Sequence, residues 1–170
     1  MPKLNDIYKP PRDLVLGMRL NERVPEADQL RQRAESVEIL RRLKSQPGVI
    51  LADEVGMGKT YVALAVAYSI ATQSPKGPVI LMVPPNLIDK WEQDLATFCE
   101  LYLEGRRPLR REGATRKEMM DPGVIRFGIA RHSVELMKLL DDAPRERCHL
   151  IFVGQGRCPA VRLINGYGSR

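Results

Sequence analysis

The stretch Val49-Ile50-Leu51-Ala52-Asp53-Glu54-Val55-Gly56-Met57-Gly58-Lys59-Thr60 decides how the rest of the chain is read. Its first four residues are wholly apolar, as expected of a short strand buried on both faces. A glycine-bearing loop follows, Asp53 to Gly58, and then an Ala-rich helical stretch from Lys59 to about Thr72. Strand, loop and helix in that order are what a phosphate cradle needs. Gly56 and Gly58 let the backbone curl so that its N–H groups point inward. The start of the helix adds a dipole that favours negative charge. Lys59 would reach the β- and γ-phosphates of a nucleotide, and the Thr60 hydroxyl would ligate Mg²⁺. The strict pattern G-x-x-x-x-G-K-S/T is not met, because Asp53 stands at its first glycine position. A Gly-Lys-Thr at a helix start can also be an ordinary turn.

Outward from this stretch, apolar runs alternate with helical patterns. On the N-terminal side, Gln46-Pro47-Gly48 ends a helix read over 27–44. In it Leu30, Ala34, Val37, Leu40 and Leu43 recur as one apolar stripe. Residues 1–26 hold four of the 13 Pro and show no lasting periodicity, which predicts an extended arm. On the C-terminal side, Val79-Ile80-Leu81-Met82-Val83 is a second buried strand. Pro84-Pro85-Asn86 breaks it, with Asn86 placed to cap a helix from Leu87 whose Leu87, Ile88, Trp91, Leu95 and Phe98 share one side. Residues 104–123 are charged and punctuated by Gly and Pro, the expected long surface excursion. Val124 to Ile129 is a third strand, Ser133 caps a helix over 134–140, and Cys148 to Val153 is a fourth strand. The alternation predicts an α/β fold, a mostly parallel sheet with flanking helices and right-handed crossovers.

The chain has 170 residues, enough for one ordinary domain. Hydrophobic residues at 44% and charged residues at 28% exclude wholesale disorder. Lys and Arg outnumber Asp and Glu by 27 to 21, a formal charge of +6 that permits a polyanionic partner without demanding one. Cys99, Cys148 and Cys158 lie far apart with no CxxC, which disfavours a disulfide framework or a zinc knuckle and makes a reducing cytoplasm the expected home. The opening MPKLNDIYKPPRD has no apolar run behind its charges and is not expected to act as a signal peptide. The longest largely apolar stretch, Tyr61 to Ala71, is too short to cross a bilayer, so no membrane partner is expected.

LADEVGMGKT (Leu51–Thr60) resembles motif I of the Swi/Snf-type branch of superfamily 2 helicase-like ATPases, where an Asp-Glu pair begins the loop. VILMVPPNLIDKWEQDL (Val79–Leu95) resembles motif Ia of the same family: an apolar strand, a Pro, a short polar turn, then a helix with Trp in its first turns. The resemblance covers Leu30 to about Val153. It implies a P-loop, RecA-like first lobe that binds ATP and grips a nucleic-acid backbone, double-stranded DNA in this family. A second lobe closes over the ATP, and hydrolysis drives translocation. Carried over by position, Gly56, Gly58, Lys59 and Thr60 form the ATP·Mg²⁺ site, with Thr60 on the metal. Asp53 and Glu54 shape the loop. Pro84, Pro85 and Asn86 lie where motif Ia approaches the nucleic acid, and Trp91 is a core residue.

Three departures accompany the resemblance. The family's adenine-reading Gln falls by spacing on Ala34; Gln32 is two residues off, about 200° around a helix. The fourth strand should run into an Asp-Glu box that holds Mg²⁺ through water and activates the attacking water, yet it runs into Gly154-Gln155-Gly156. The second lobe is missing, and with it an arginine worth about 10³–10⁵ in phosphoryl-transfer rate. The expected organisation is an arm (1–29), an incomplete first lobe (30–153) and an atypical tail (154–170). The expected function is the ATP-binding lobe of a DNA-dependent ATPase or translocase, truncated and slow to hydrolyse ATP alone, with no catalytic residue assigned. The alternatives are a catalytically silent, nucleotide-responsive binding module whose tail is a partner surface, another P-loop NTPase such as a small-molecule kinase, and a tail produced by truncation or a frame change.

Arg106, Arg107, Arg110, Arg111, Arg116 and Lys117 crowd one segment. They could contact a phosphate backbone, but charge runs are more often simply solvated, and no aromatic platform is interleaved. His132 and His149 stand alone, without a second ligand at metal spacing. Cys148 is expected to pack as a small apolar residue.

Overall fold

Helix α2 (Lys59–Gln73) is buried nearly all round, with Val62, Leu64, Ala65, Val66, Ala67, Tyr68, Ser69, Ile70 and Ala71 inside. A helix apolar on nearly every side belongs in the middle of a fold, and two further helices and two strands of the sheet pack against it. The computed structural model describes residues 9–15, 24–52, 56, 58–74 and 77–154, together with the backbone of 163–164.

Strands β1 (Val79–Val83), β2 (Arg107–Arg110), β3 (Val124–Ala130), β4 (Leu150–Gly154) and β5 (Leu163–Ile164) form one sheet in the order β2-β3-β4-β1-β5. Its first four members are parallel and β5 joins β1 antiparallel. Period-two alternation sorts the side chains into two layers. Val79, Leu81 and Val83 of β1, Ile125, Phe127 and Ile129 of β3, and Leu150 and Phe152 of β4 join the large core with α2 and α3 (Ile88–Tyr102). Ala130 and Ile151 face the other way and pack with Leu139 of α5 (Ser133–Leu140) and Cys148. A Cβ on Gly128 would lie 2.8 Å from Leu139, so glycine lets α5 sit directly on β3. Helix α1 (Glu26–Arg42) packs on α2 from outside the sheet. The arm docks on α2 and α3: the Val15 N–H donates to the Tyr102 carbonyl at 2.8 Å, and the Tyr68 hydroxyl to Asp13 at 2.6 Å. The α/β, RecA-like lobe with a mostly parallel sheet is thus present.

Five local expectations change. Val49–Ala52 forms no strand, and Ile50 is 93% exposed. Both flanks of β1, the strand that α2 feeds, are taken by β4 and β5, so the run has no ladder beside it. The segment read as a surface excursion supplies β2 and the short helix α4 (Arg116–Met119), closed by a reciprocal Thr115–Glu118 capping box. Strand β2 reads RPLR because it is an edge strand, where a proline costs no ladder bond. Asn86 caps nothing; it sits in a 3₁₀ turn, Pro85–Leu87, and Leu87 precedes α3. His132, not Ser133, is the N-cap of α5, where Glu135 reaches back to accept the Arg131 N–H at 2.6 Å. The stripe expected to bury α1 is partly outward: Leu30 is 49% and Val37 43% exposed, while Gln29, Gln32, Ser36 and Leu40 face inward. Those polar groups are acceptable inside because they are bonded. Gln29 donates to the Val24 carbonyl at 2.7 Å and Ser36 to the Gln32 carbonyl at 2.7 Å.

His149 is a packing residue whose Nδ1 accepts the Arg126 N–H at 3.0 Å, while its own N–H donates to the Arg126 carbonyl at 2.8 Å. Burial, followed by the Arg126 and Arg106 charges, pushes its imidazole down to about 4. Between the unfolded value near 6.5 and that folded value, the unfolded chain binds the extra proton, so stability falls as pH falls through this window. By pH 5 the loss should reach about 2 kcal/mol. Urea unfolding at pH 7, 6 and 5 should show the slope, and His149→Asn should flatten it.

Candidate functional site

The loop-to-helix junction before α2 gathers four of the residues singled out from the sequence. Gly56 lies exposed in a turn at φ +90°, with nothing within 4 Å of where a Cβ would stand. Gly58 is the N-cap of α2 at φ +76°, a left-handed conformation that costs an L-residue about 1–2 kcal/mol. Lys59 and Thr60 are the first two helical residues, each half-buried. The first N–H groups of a helix have no partners within it, and the Gly58 carbonyl accepts from the Tyr61 and Val62 N–H groups at 3.0 and 3.3 Å, closing the first turn. Asp53 and Glu54 lie outside the described residues.

Against the junction packs a residue the sequence spacing passed over. Ala34, the position matched to the family's glutamine, is exposed. Gln32 is 4% exposed, and its Nε2 lies 2.4 Å from where a Cβ on Gly58 would be. Its Oε1 accepts the Tyr102 hydroxyl at 3.2 Å. The missed signal was burial: Gln29, Gln32 and Ser36 recur at helical spacing, but as polar residues they do not register in an apolar stripe.

The donor set fits a magnesium-bound nucleotide. An open left-handed turn at Gly56, a helix start at Gly58, one ammonium and one hydroxyl are the chemistry a polyphosphate takes. The carboxyl ends of β1 and β4 lie side by side in the sheet, Val83 opposite Gly154. Pro85 and Asn86 are exposed there. A Cβ on Gly154 would come 2.9 Å from Ile88 Cδ1 and 3.7 Å from Pro85 Cα. Trp91 packs inside, its ring 6.2 Å from Phe152.

The arginine-rich segment carries its own counter-charges. Arg106 bonds Asp13 at 2.8 Å, Arg107 bonds Asp121 at 3.2 Å, and Arg110 bonds Glu112 at 3.1 Å. Arg111 forks onto Asp142, with Nε to Oδ2 at 2.5 Å, and Arg116 meets Glu146 at 3.1 Å. A solvated, ion-paired surface describes this segment better than a patch of bare cations. Among the described residues no three His, Cys, Asp or Glu side chains form a metal cluster, and no helix is long and apolar enough to cross a membrane.

Residues 32–105 match the SNF2-related domain family. The ATP-dependent helicase fft2 of Schizosaccharomyces pombe is 33% identical over 81 residues, which is 47% of this chain and 6% of that protein. The chromodomain-helicase-DNA-binding protein 1-like of Danio rerio is 36% identical over 58 residues, 34% of this chain and 6% of that protein. The SWI/SNF-related matrix-associated actin-dependent regulator of chromatin subfamily A containing DEAD/H box 1 of Mus musculus is 40% identical over 50 residues, 29% of this chain and 5% of that protein. The chain therefore spans about a twentieth of these relatives. No solved structure matches it.

Gly58→Ala should destabilise the chain by about 1–2 kcal/mol and displace the Gln32 amide. Gly48→Ala, where a Cβ meets nothing, should change stability by less than about 0.5 kcal/mol. Urea midpoints of the two variants give the comparison.

Proposed function

On the premise that this chain carries N-terminal-lobe sequence of the Swi/Snf-type, SNF2-related family, we propose that residues 30–153 are an ATP-binding lobe whose Gly56, Gly58, Lys59 and Thr60 hold ATP·Mg²⁺. The observation that carries the reading is the left-handed Gly58 at the start of the largely buried α2, with Lys59 and Thr60 next along the chain. A bound Mg²⁺ would screen the phosphate charge and orient the γ-phosphate. Thr60 supplies its hydroxyl ligand, Lys59 neutralises the terminal phosphates, and the amides opening α2 bond phosphate oxygens. Asp53 and Glu54 shape the loop ahead of them.

The proposal extends to a nucleic-acid backbone, double-stranded DNA in the first instance, approached by Pro84, Pro85 and Asn86 at the carboxyl end of β1. A second lobe or a partner protein would cover the nucleotide. Hydrolysis by this chain alone is slow, because β4 ends in Gly154 and continues into Gln155-Gly156, which offer no carboxylate to activate water. The setting is a reducing one, the cytoplasm in the simplest case, and the buried free thiols of Cys99 and Cys148 suit it.

A second reading, a nucleotide-responsive binding module without chemistry, is favoured by one observation: Leu163–Ile164 of the tail adds a strand to the sheet edge at β1.

Mg·mant-ATP should bind the chain in fluorescence titration, and Lys59→Ala should weaken it by at least about tenfold, the size of one lost charged hydrogen bond. Phosphate release should stay near background with or without duplex DNA. Brisk turnover would remove the claim of slow hydrolysis, and equal binding by Lys59→Ala would remove the phosphate site.

A further inference from the structure

Tyr102, the last residue of α3, is 2% exposed and ties three parts of the chain together. Its hydroxyl donates to Gln32 Oε1 on α1 at 3.2 Å. Its ring stacks on Tyr61 in the first turn of α2, centroids 5.2 Å apart, and on Phe98, 5.5 Å apart. Its carbonyl accepts the Val15 N–H of the arm at 2.8 Å. Two short routes therefore run from Tyr102 to the start of α2, one through the Gln32 amide to Gly58 and one through the Tyr61 ring.

A glutamine side chain has an acceptor end and a donor end, and only its partners decide which end faces which way. Here the phenol hydroxyl donates to the acceptor end, Gln32 Oε1, at 3.2 Å. The –NH₂ end is then turned to Gly58, where it presents N–H donors and positive partial charge beside the anion-favouring helix start. Phenylalanine at 102 would keep both ring contacts and leave the amide free to turn over.

We infer that Tyr102 is a positioning residue for the phosphate loop, setting the Gln32 amide against the left-handed Gly58 and Tyr61 against the first turn of α2. The inference takes its ligand from the proposed function above, while its geometry is independent of that reading. It also makes the docking of the arm and the C-terminal end of α3 part of what fixes the loop, since both meet at this one residue.

The test uses the full chain with Tyr102→Phe, Gln32→Ala and the pair together. In Mg·mant-ATP titrations each single change should weaken binding about three- to tenfold, the range of one net hydrogen bond. The double variant should be no weaker than the weaker single, because both remove one interaction. Hydrogen exchange at the amides of 59–62 should quicken in Tyr102→Phe while those of β3 and β4 keep their protection. Effects that multiply, or wild-type affinity together with wild-type exchange at 59–62, overturn the inference. If the unmodified chain binds no mant-ATP, or binds it equally well after Lys59→Ala, the phosphate reading falls by itself. The exchange at 59–62 then decides whether Tyr102 positions the helix start.

Discussion

The lobe depends on a single constraint, that the chain must pass through a left-handed residue at Gly58 and enter a helix buried nearly all round. The space beside that residue belongs to the Gln32 amide, so nothing larger than glycine fits without strain. Once α2 is set, its neighbours have little freedom. Leu64, Ala65, Val66 and Ala67 are close to fully enclosed, and burying each large aliphatic side chain contributes about 1.5–3 kcal/mol. The direction of α2 thereby fixes where its first amides point.

Much of this was legible in the chain, and each exception has its own physical cause. Val79–Val83, Val124–Ala130 and Leu150–Gly154 announce themselves as apolar runs because each is covered on at least one face. Strand β2 does not, since an edge strand of arginines, a proline and a leucine has no buried periodicity to read. The inward face of α1 was misread for the opposite reason. Its polar side chains donate to backbone carbonyls, so they are bonded and buried at once. Val49–Ala52 had the right composition for a strand and no neighbour to pair with, which composition cannot report. In the candidate site, Gly56, Gly58, Lys59 and Thr60 could be picked out from the motif, whereas Gln32 and Tyr102 depend on contacts between residues 26 and 70 positions apart.

Charge shows the same dependence on partners. Counted along the sequence, residues 106–117 look like a cationic strip. In the fold, their arginines fasten β2, α4 and the arm to acids brought in from residues 13, 121, 142 and 146. The exposed pairs contribute at most about 1 kcal/mol each. The more enclosed Arg126 works through carbonyls instead, donating to Arg147 at 2.8 Å and Met119 at 3.0 Å, and so ties the end of α4 to the start of β4.

The end of β4 carries a consequence for how closely the next helix can seat. Gly154 does more than lack a side chain: the space a side chain would occupy is already filled by the end of Ile88, which is itself buried. A larger residue at 154 would press on Ile88 Cδ1, the movable tip of a buried side chain, which would have to rotate aside. The seating of the first residue of α3 against the sheet is thereby tied to the absence of a side chain at this strand end.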